Sequence, residues 1–179
     1  QNKYIYQQKT QQETMADLTK LKPIILKWEG GYRGNFDGKT CTMKGVTLST
    51  YRSFYGKNKT CADLKNISEK EWNNIFKQGY WDKWKADEIN NQSIANILVD
   101  WFWHSGTSGI KIPQEILGVK ADGIVGKMTI NAVNSCNPKE LFVKLRKARK
   151  DYLCDLAKSP SKAQFLDGWL NRLNDFNFN

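Results

Sequence analysis

Histidine is nearly absent from this sequence, in which His104 is the one residue of its type. That count excludes a histidine-rich metal cluster. By itself it also gives no support to a serine–histidine or cysteine–histidine nucleophile, because a lone histidine is more often structural. The four cysteines, at positions 41, 61, 136 and 154, form no CxxC pair, so a structural zinc site is not expected. We predict no metal and no cofactor.

The cysteines leave the redox state open. An even number permits two disulfides in three connectivities, of which Cys41–Cys61 with Cys136–Cys154 is the most local. Free buried thiols explain the count nearly as well.

Long hydrophobic runs are also missing. A membrane-spanning helix needs roughly 18 apolar residues, and the longest run, Ile94 to Trp103, contains Asn96 and Asp100. We therefore predict no transmembrane segment. The first residue is Gln1 rather than Met, so a leader removed before Gln1 is compatible with a secreted or periplasmic location.

Acidic residues are outnumbered, with 18 Asp and Glu against 28 Lys and Arg, a net charge of +10. This excess predicts a polyanionic partner, either nucleic acid, anionic lipid or an acidic cell-wall polymer. The densest basic run, residues 144–150, alternates with apolar residues at helical spacing and is interpreted as the solvated side of an amphipathic helix. Nucleic-acid binding by this helix rests on charge alone, so we predict no specific nucleic-acid partner.

Hydrophobic periodicity predicts a mainly α protein with one small β element. Pro23 either begins the first helix or kinks it. Residues 57–67 are predicted to be an exposed polar connection, and the alternation in Thr40–Met43 suggests a hairpin. The predicted helices run from about Ala16 to Trp28, from Thr47 to Gly56, from Ser68 to Phe76, from about Ile94 to Gly106, from near Lys127, from Asn137 to about Ala157, and through Phe165–Phe176.

The stretch Trp28-Glu29-Gly30-Gly31-Tyr32 ends the first amphipathic helix with a carboxylate and two glycines. The carbonyls of the last helical turn and the neighbouring Trp28 both disfavour the ionised carboxylate. A carboxyl group that holds its proton near neutral pH is suited to general acid catalysis. The alternative is an ordinary solvated glutamate at a helix end.

Six short motifs follow in one order. They are Glu29-Gly30-Gly31-Tyr32, Asp37 with Gly45-Val46-Thr47, Tyr80-Trp81-Asp82, Asp100 to Gly106, Asp122 to Thr129, and Phe165 with Gly168-Trp169 and Asn171-Arg172. Together they resemble the family 108 glycoside hydrolases, lysozyme-like N-acetylmuramidases with a C-terminal peptidoglycan-binding region. The resemblance covers about residues 16–176. The sequence departs from the family pattern at Lys39–Met43, where two glycines and an asparagine are replaced, and at His104, which stands in place of an asparagine.

The resemblance implies a lysozyme-like helical fold with a small β-hairpin or loop next to the catalytic glutamate. It also implies a division into a polar lead-in at 1–15, a catalytic region at 16–110 and a helical peptidoglycan-binding region at 111–179. We expect the two regions to pack as one compact unit and the protein to be a monomer.

The resemblance further implies that Glu29 protonates the glycosidic oxygen between N-acetylmuramic acid and N-acetylglucosamine. A second group must act as nucleophile or position a water. Asp37 with Thr47 is the candidate pair, with an inverting outcome favoured. Asp37 as a turn residue and Thr47 as a simple N-cap are equally good interpretations.

Five ring side chains are candidates for substrate binding, although core burial is an alternative for each aromatic residue. They are Tyr32, Tyr80, Trp81, Trp103 and His104. Two other functions are compatible with the motifs: a lytic transglycosylase, and a peptidoglycan-binding or secretion-assisting protein that has lost turnover.

Overall fold

A computed structural model describes residues 15–35 and 38–179 of the chain. The predictions made for residues 1–14 and for Asp37 lie outside the described residues. The helices are α1 (Leu18–Trp28), α2 (Leu48–Tyr55), α3 (Cys61–Lys65), α4 (Glu69–Phe76), α5 (Gln92–Ser105), α6 (Ser108–Leu117), α7 (Lys127–Ser135), α8 (Pro138–Leu156) and α9 (Leu166–Asn174). The strands are β1 (Arg33–Gly34), β2 (Cys41–Met43) and β3 (Val46–Thr47). A π-helical turn (Lys77–Trp81) and 3₁₀ turns at Ala86–Glu88 and Ala163–Phe165 complete the fold, which confirms the mainly α prediction.

Helix α1 begins before Pro23, so the interpretation of Pro23 as its first residue is wrong. Asp17 caps the helix by accepting a hydrogen bond from the Thr19 N–H at 2.8 Å. Leu21 and Ile25 are completely buried, and their burial anchors the helix to the core.

The three strands form one antiparallel sheet in the order β1-β2-β3. A two-residue turn, Lys44-Gly45, joins β2 to β3, and both residues have positive φ (47° and 78°). Such a turn matches the twist of paired strands. A disulfide joins Cys41 of β2 to Cys61 of α3, whereas Cys136 and Cys154 are free. Of the alternatives that the sequence left open, the structure thus contains one of the two most local pairings and two free thiols.

Helix α3 contradicts the prediction of an exposed polar connection at 57–67. Thr60 and Asp63 form a capping box, in which each side chain accepts from the backbone N–H of the other. Leu64 is fully buried, and Cys61 is nearly so because of its disulfide. A buried side and a cap are enough to hold five residues in a helix.

Helix α5 is the centre of the core, as predicted, and ends at Gly106. It packs against α6 and α8. Helix α6 was not predicted, since Pro113 lies inside it. A Cβ added at Gly109 of α6 would lie 2.5 Å from the backbone of Trp101 and Phe102, so the two helices touch closely at this glycine.

Helix α8 is capped by Asn137 with Pro138 at its first position, as predicted. Its basic run is not wholly solvated, because Arg149 is completely buried. Beyond α9, Asp175 accepts from Lys27 Nζ and from the Trp28 indole N–H, both at 2.6 Å. These bonds pack the end of the chain against α1.

Candidate active site

Glu29 follows the last residue of α1 and has left the helical conformation (φ −89°, ψ 129°). Its carboxylate is 16 % exposed and accepts from two donors, the Trp103 indole N–H at 2.7 Å and Arg172 Nη1 at 2.9 Å. Both donors bind Oε1, so neither occupies Oε2. The adjacent Trp28 directs its indole N–H to Asp175 instead.

Gly45, in the turn of the sheet, lies against the other oxygen of this carboxylate. A Cβ at Gly45 would be 2.6 Å from both Cδ and Oε2 of Glu29 and 2.8 Å from Cζ2 of Trp103. The adjacent Lys44 holds the turn in place, because its N–H donates to Gly30 O (3.2 Å) and its carbonyl accepts from Trp72 Nε1 (3.0 Å). Only a glycine leaves room for the carboxylate at this point.

Aromatic rings surround the indole that binds Glu29. The Trp103 ring lies 4.6 Å from Tyr80, 5.5 Å from Phe76 and 5.7 Å from Trp72, measured between ring centroids. Rings at these separations restrict the Trp103 rotamer. The donor to Glu29 is therefore fixed by packing.

Thr50 adjoins both Tyr80 and Thr47. Thr50 and Tyr80 line the same cavity, and Thr50 Oγ1 accepts from Thr47 Oγ1 at 3.0 Å. Burial is the main cause that raises the pKa of Tyr80; the negative charge of Glu29 adds to this, and the Thr50 side chain opposes it. A row of side chains thus runs from Glu29 through Trp103 and Tyr80 to Thr47.

Thr47 is exposed and is the N-cap of α2, accepting from the Thr50 N–H at 3.1 Å. Its hydroxyl donates to Thr50 Oγ1. A hydroxyl has one donor and two acceptor positions. Among the described residues no second donor reaches Thr47 Oγ1, so one acceptor position is left there for a water molecule.

Two open cavities flank the start of α2. The first, about 500 Å³, is lined by Arg33, Gly34, Asn35, Lys39, Thr40, Cys41, Thr42, Thr47, Leu48, Ser49 and Arg52. The second, about 550 Å³, is lined by Thr50, Phe54, Gln78, Gly79, Tyr80, Lys83, Phe102, Gly106 and Thr107. Glu29 is not among the described lining residues of either, but Trp103 and Tyr80 connect it to the second. The described lining of the first is cationic, with no acidic side chain.

Two predicted substrate-binding aromatics have different environments. Trp81 is completely buried and donates its indole N–H to Asp87 at 2.7 Å, so it is a core residue and cannot contact a glycan. Tyr32 is 37 % exposed, and the Lys65 ammonium lies 5.5 Å from its ring centroid.

A buried ion cluster lies behind Glu29. Asp100 has no exposed surface and binds Arg172 Nη2 through Oδ1 at 2.7 Å and Arg149 Nη2 through Oδ2 at 2.6 Å. Burial opposes the ionisation of Asp100, but the two guanidinium groups outweigh it and lower its pKa. Since Arg172 also binds Glu29, the cluster joins the two carboxylates through one arginine.

His104 adjoins this ion cluster. Its Nδ1 lies 3.5 Å from Arg149 Nη2, and its ring meets Trp169 edge-on at 6.2 Å. Burial and the nearby positive charges of Arg172 and Arg149 lower the pKa of His104 to about 4. The imidazole is therefore neutral at neutral pH.

The sequence motifs contain Asp100 and Arg172, but sequence reasoning gave neither a role. A signal was present at Asp100, which interrupts the apolar run Ile97–Trp101 of a buried helix. A charge in such a position needs a buried partner. The sequence could not identify that partner, because the arginines lie 49 and 72 residues away.

Within residues 15–35 and 38–179, no group of three His, Cys, Asp or Glu side chains is arranged to hold a metal ion. None of the helices in the same ranges is long and apolar enough to cross a membrane.

A mainly helical fold with a small sheet against a glutamate at a helix end is typical of glycoside hydrolases of the lysozyme type. Residues 23–106 match the family described as Glycosyl hydrolase 108, and residues 108–174 match the Predicted Peptidoglycan domain. The chain therefore contains a glycosyl hydrolase 108 region followed by a predicted peptidoglycan domain, in the order that the motifs indicated.

A solved structure has a similar fold. The chain is similar to SagA of Brucella abortus, with 26% sequence identity and a TM-score of 0.76 over 88% of this chain and 90% of that chain. No curated protein matches the sequence significantly. The chain is accordingly a peptidoglycan hydrolase.

Proposed function

We propose that the protein cleaves the β-1,4 bond between N-acetylmuramic acid and N-acetylglucosamine, with Glu29 as the general acid. The observation that carries this proposal is the Glu29 carboxylate, held at Oε1 by Trp103 and Arg172 while neither takes Oε2. A proton on Oε2 passes to the glycosidic oxygen as the bond to the sugar C1 breaks. The carboxylate that remains is stabilised by the Arg172 cation.

Hydrolysis also needs a water molecule on the face of the sugar opposite to the general acid. Thr47 has one acceptor position left for a water O–H. It lies at the N-terminus of α2 and lines the cationic cavity. We assign the general base to Asp37. A base that activates water leads to inversion at C1.

Tyr32 and Tyr80 are the aromatic residues assigned to the substrate. Tyr32 is the more exposed, and Tyr80 lines the cavity on the far side of α2. Trp103 and His104 are not among the described lining residues of either cavity, so they support the site from behind: Trp103 through its bond to Glu29, and His104 through its contact with Arg149.

The glycan strands of peptidoglycan are the partner, bound by residues 16–110 for cleavage and by residues 111–179 for attachment. The net charge of +10 favours an acidic wall polymer. The Cys41–Cys61 disulfide supports action in an oxidising compartment, hence a secreted or periplasmic location. The protein acts as a monomer.

Replacing Glu29 with Gln tests the assignment. Glutamine keeps the size of the side chain but has no acidic proton, so we expect lysis of cell-wall suspensions to fall at least about 100-fold, in line with the loss of a general acid. The matched control is Glu115→Gln on the exposed surface of α6, which should lyse cells at the wild-type rate. A Glu29→Gln protein that lyses cells normally would remove Glu29 from the mechanism.

Mass spectrometry of the digested wall identifies the reaction. Reducing N-acetylmuramic acid ends support the proposed hydrolysis. Anhydro ends would instead indicate a lytic transglycosylase, and a wall that is bound without any product would indicate a protein without turnover.

A further inference from the structure

One contact joins the two family regions at the catalytic carboxylate. Glu29 lies in the part that matches glycosyl hydrolase 108, and Arg172 lies 143 residues later in the part that matches the Predicted Peptidoglycan domain. Arg172 Nη1 is 2.9 Å from Glu29 Oε1, and its side chain is 7 % exposed. A residue of the wall-binding region therefore touches the group that carries out the chemistry.

The Arg172 guanidinium is itself fixed in orientation. Nη2 lies 2.7 Å from Asp100 Oδ1, and Nε lies 3.2 and 3.3 Å from the two Asp100 oxygens. This forked contact uses one edge of the planar group and turns the remaining Nη1 towards Glu29. Asp100 is held in turn by Arg149 at 2.6 Å.

We propose that Arg172 is a positioning residue for Glu29, anchored by Asp100, so that helix α9 completes the active site. This inference rests on the proposed function of Glu29. Arg172 holds Oε1, together with Trp103, and so fixes which carboxylate oxygen can carry the transferred proton. The region from residue 108 onward thus contributes to catalysis as well as to attachment.

Arg172 has two separable effects on Glu29. Its geometry restricts the carboxylate to one orientation, and a misplacement of about 1 Å at a reacting group can cost 100-fold in rate. Its positive charge pairs with the carboxylate at 2.9 Å. Different substitutions remove these two effects, because lysine keeps the charge but lacks the planar fork of donors.

A purely structural role is the alternative, since Arg172 also ties α9 to α1. Asp175 provides a matched control, because it ties the same two helices through Lys27 and Trp28 without contacting Glu29. Asp175→Asn loosens this packing but leaves the Glu29 contacts in place.

The experiment measures the initial release of reducing ends at several concentrations of purified peptidoglycan, with thermal unfolding recorded for each variant. We expect Arg172→Gln to lose about 100-fold in kcat with little change in KM, because the substitution displaces the Glu29 carboxylate and leaves the glycan contacts in place. Arg172→Lys keeps the charge but cannot fork between two carboxylates. It should lose about 10-fold in kcat, again with little change in KM. Asp175→Asn should keep the wild-type kcat and KM.

A wild-type kcat in a folded Arg172→Gln protein would overturn the inference, as would equal losses in Arg172→Gln and Asp175→Asn. If Arg172→Gln does not fold, Arg172→Lys decides by itself: a wild-type rate overturns the inference. Failure of the proposed function is recognised separately, because Glu29→Gln would then retain activity.

Discussion

At the scale of single residues, Gly45 controls the space available to the Glu29 carboxylate. Its φ of +78° is unfavourable for any residue with a side chain, and a Cβ there would overlap Glu29 and Trp103. Gly45 therefore both adopts the backbone conformation that the β-turn needs and leaves room for the Glu29 carboxylate.

We expect Gly45→Ala to displace the carboxylate and to lower activity by at least about 10-fold. The positive φ alone costs about 1–2 kcal/mol, and the overlap with Glu29 adds to that loss of stability. Wall-lysis rates and denaturant unfolding measure the two effects.

Gly118→Ala is the control for this substitution. Gly118 also has a positive φ, +70°, but a Cβ added there has no neighbour within 4 Å. The Gly118→Ala variant should lose stability through backbone strain alone and keep full activity. Equal activity in the two variants would contradict the role given to Gly45.

Residue roles were the least predictable from the sequence. The role of Glu29 was predicted from the end of a helix followed by two glycines and from the order of the motifs, and it stays a prediction. Trp81 was placed wrongly, because an aromatic residue next to a predicted groove has the same local signature as one in the core. Only the fold brings Asp87 to the Trp81 indole and buries that indole away from solvent.

At the scale of elements, the disulfide connects the sheet to α3. Cys41 lies in β2 and lines the cationic cavity, and Cys61 is the first residue of α3. The bond closes a loop of 20 residues. It restrains the sheet whose turn lies against Glu29.

We expect reduction of the Cys41–Cys61 disulfide to lower the free energy of unfolding by about 3 kcal/mol, the chain-entropy value for a loop of this length. For a protein of this size that corresponds to roughly 6–12 °C in melting temperature. Thermal unfolding of Cys61→Ser, compared with Cys136→Ser, measures the difference. Cys136 is exposed and unpaired, so its variant should melt like the wild type. Identical melting of both variants would show that the bond contributes no stability.

Elements with a strong apolar period and a cap were predicted closely, as α2, α4 and α8 illustrate. Helices α3 and α6 were missed for physical reasons. Helix α3 is too short to show periodicity. Helix α6 contains Pro113, and it forms because Gly109 lets it pack directly against the backbone of α5.

At the scale of the whole molecule, the two regions share a buried ion cluster and the neighbouring His104. In the folded state His104 has a pKa of about 4, against 6.5 for an unperturbed histidine. Between these values the unfolded chain binds a proton that the folded protein does not. Stability therefore falls as the pH is lowered through this window.

We expect His104 to account for roughly 3 kcal/mol of lost stability between pH 7 and pH 4. In His104→Asn, which cannot titrate, this part of the pH dependence should disappear. Denaturant unfolding at pH 7, 5.5 and 4 provides the measurement. Parallel pH dependences in the variant and the wild type would contradict the assignment.

The contacts between the two regions could not be predicted from the sequence. Local patterns report which residues are buried, but the pairing of Asp100 with Arg149 and Arg172 depends on how α5, α8 and α9 meet. The basic run of α8 resembled a solvated surface because a buried arginine has the same sequence signature as an exposed one.

The long separation between Glu29 and Arg172 also has a consequence during protein synthesis. A ribosome that has finished the first helix must add 143 residues before the positioning guanidinium exists. With Arg172 required as proposed, an unfinished or truncated chain has an incomplete site even if its first region has folded.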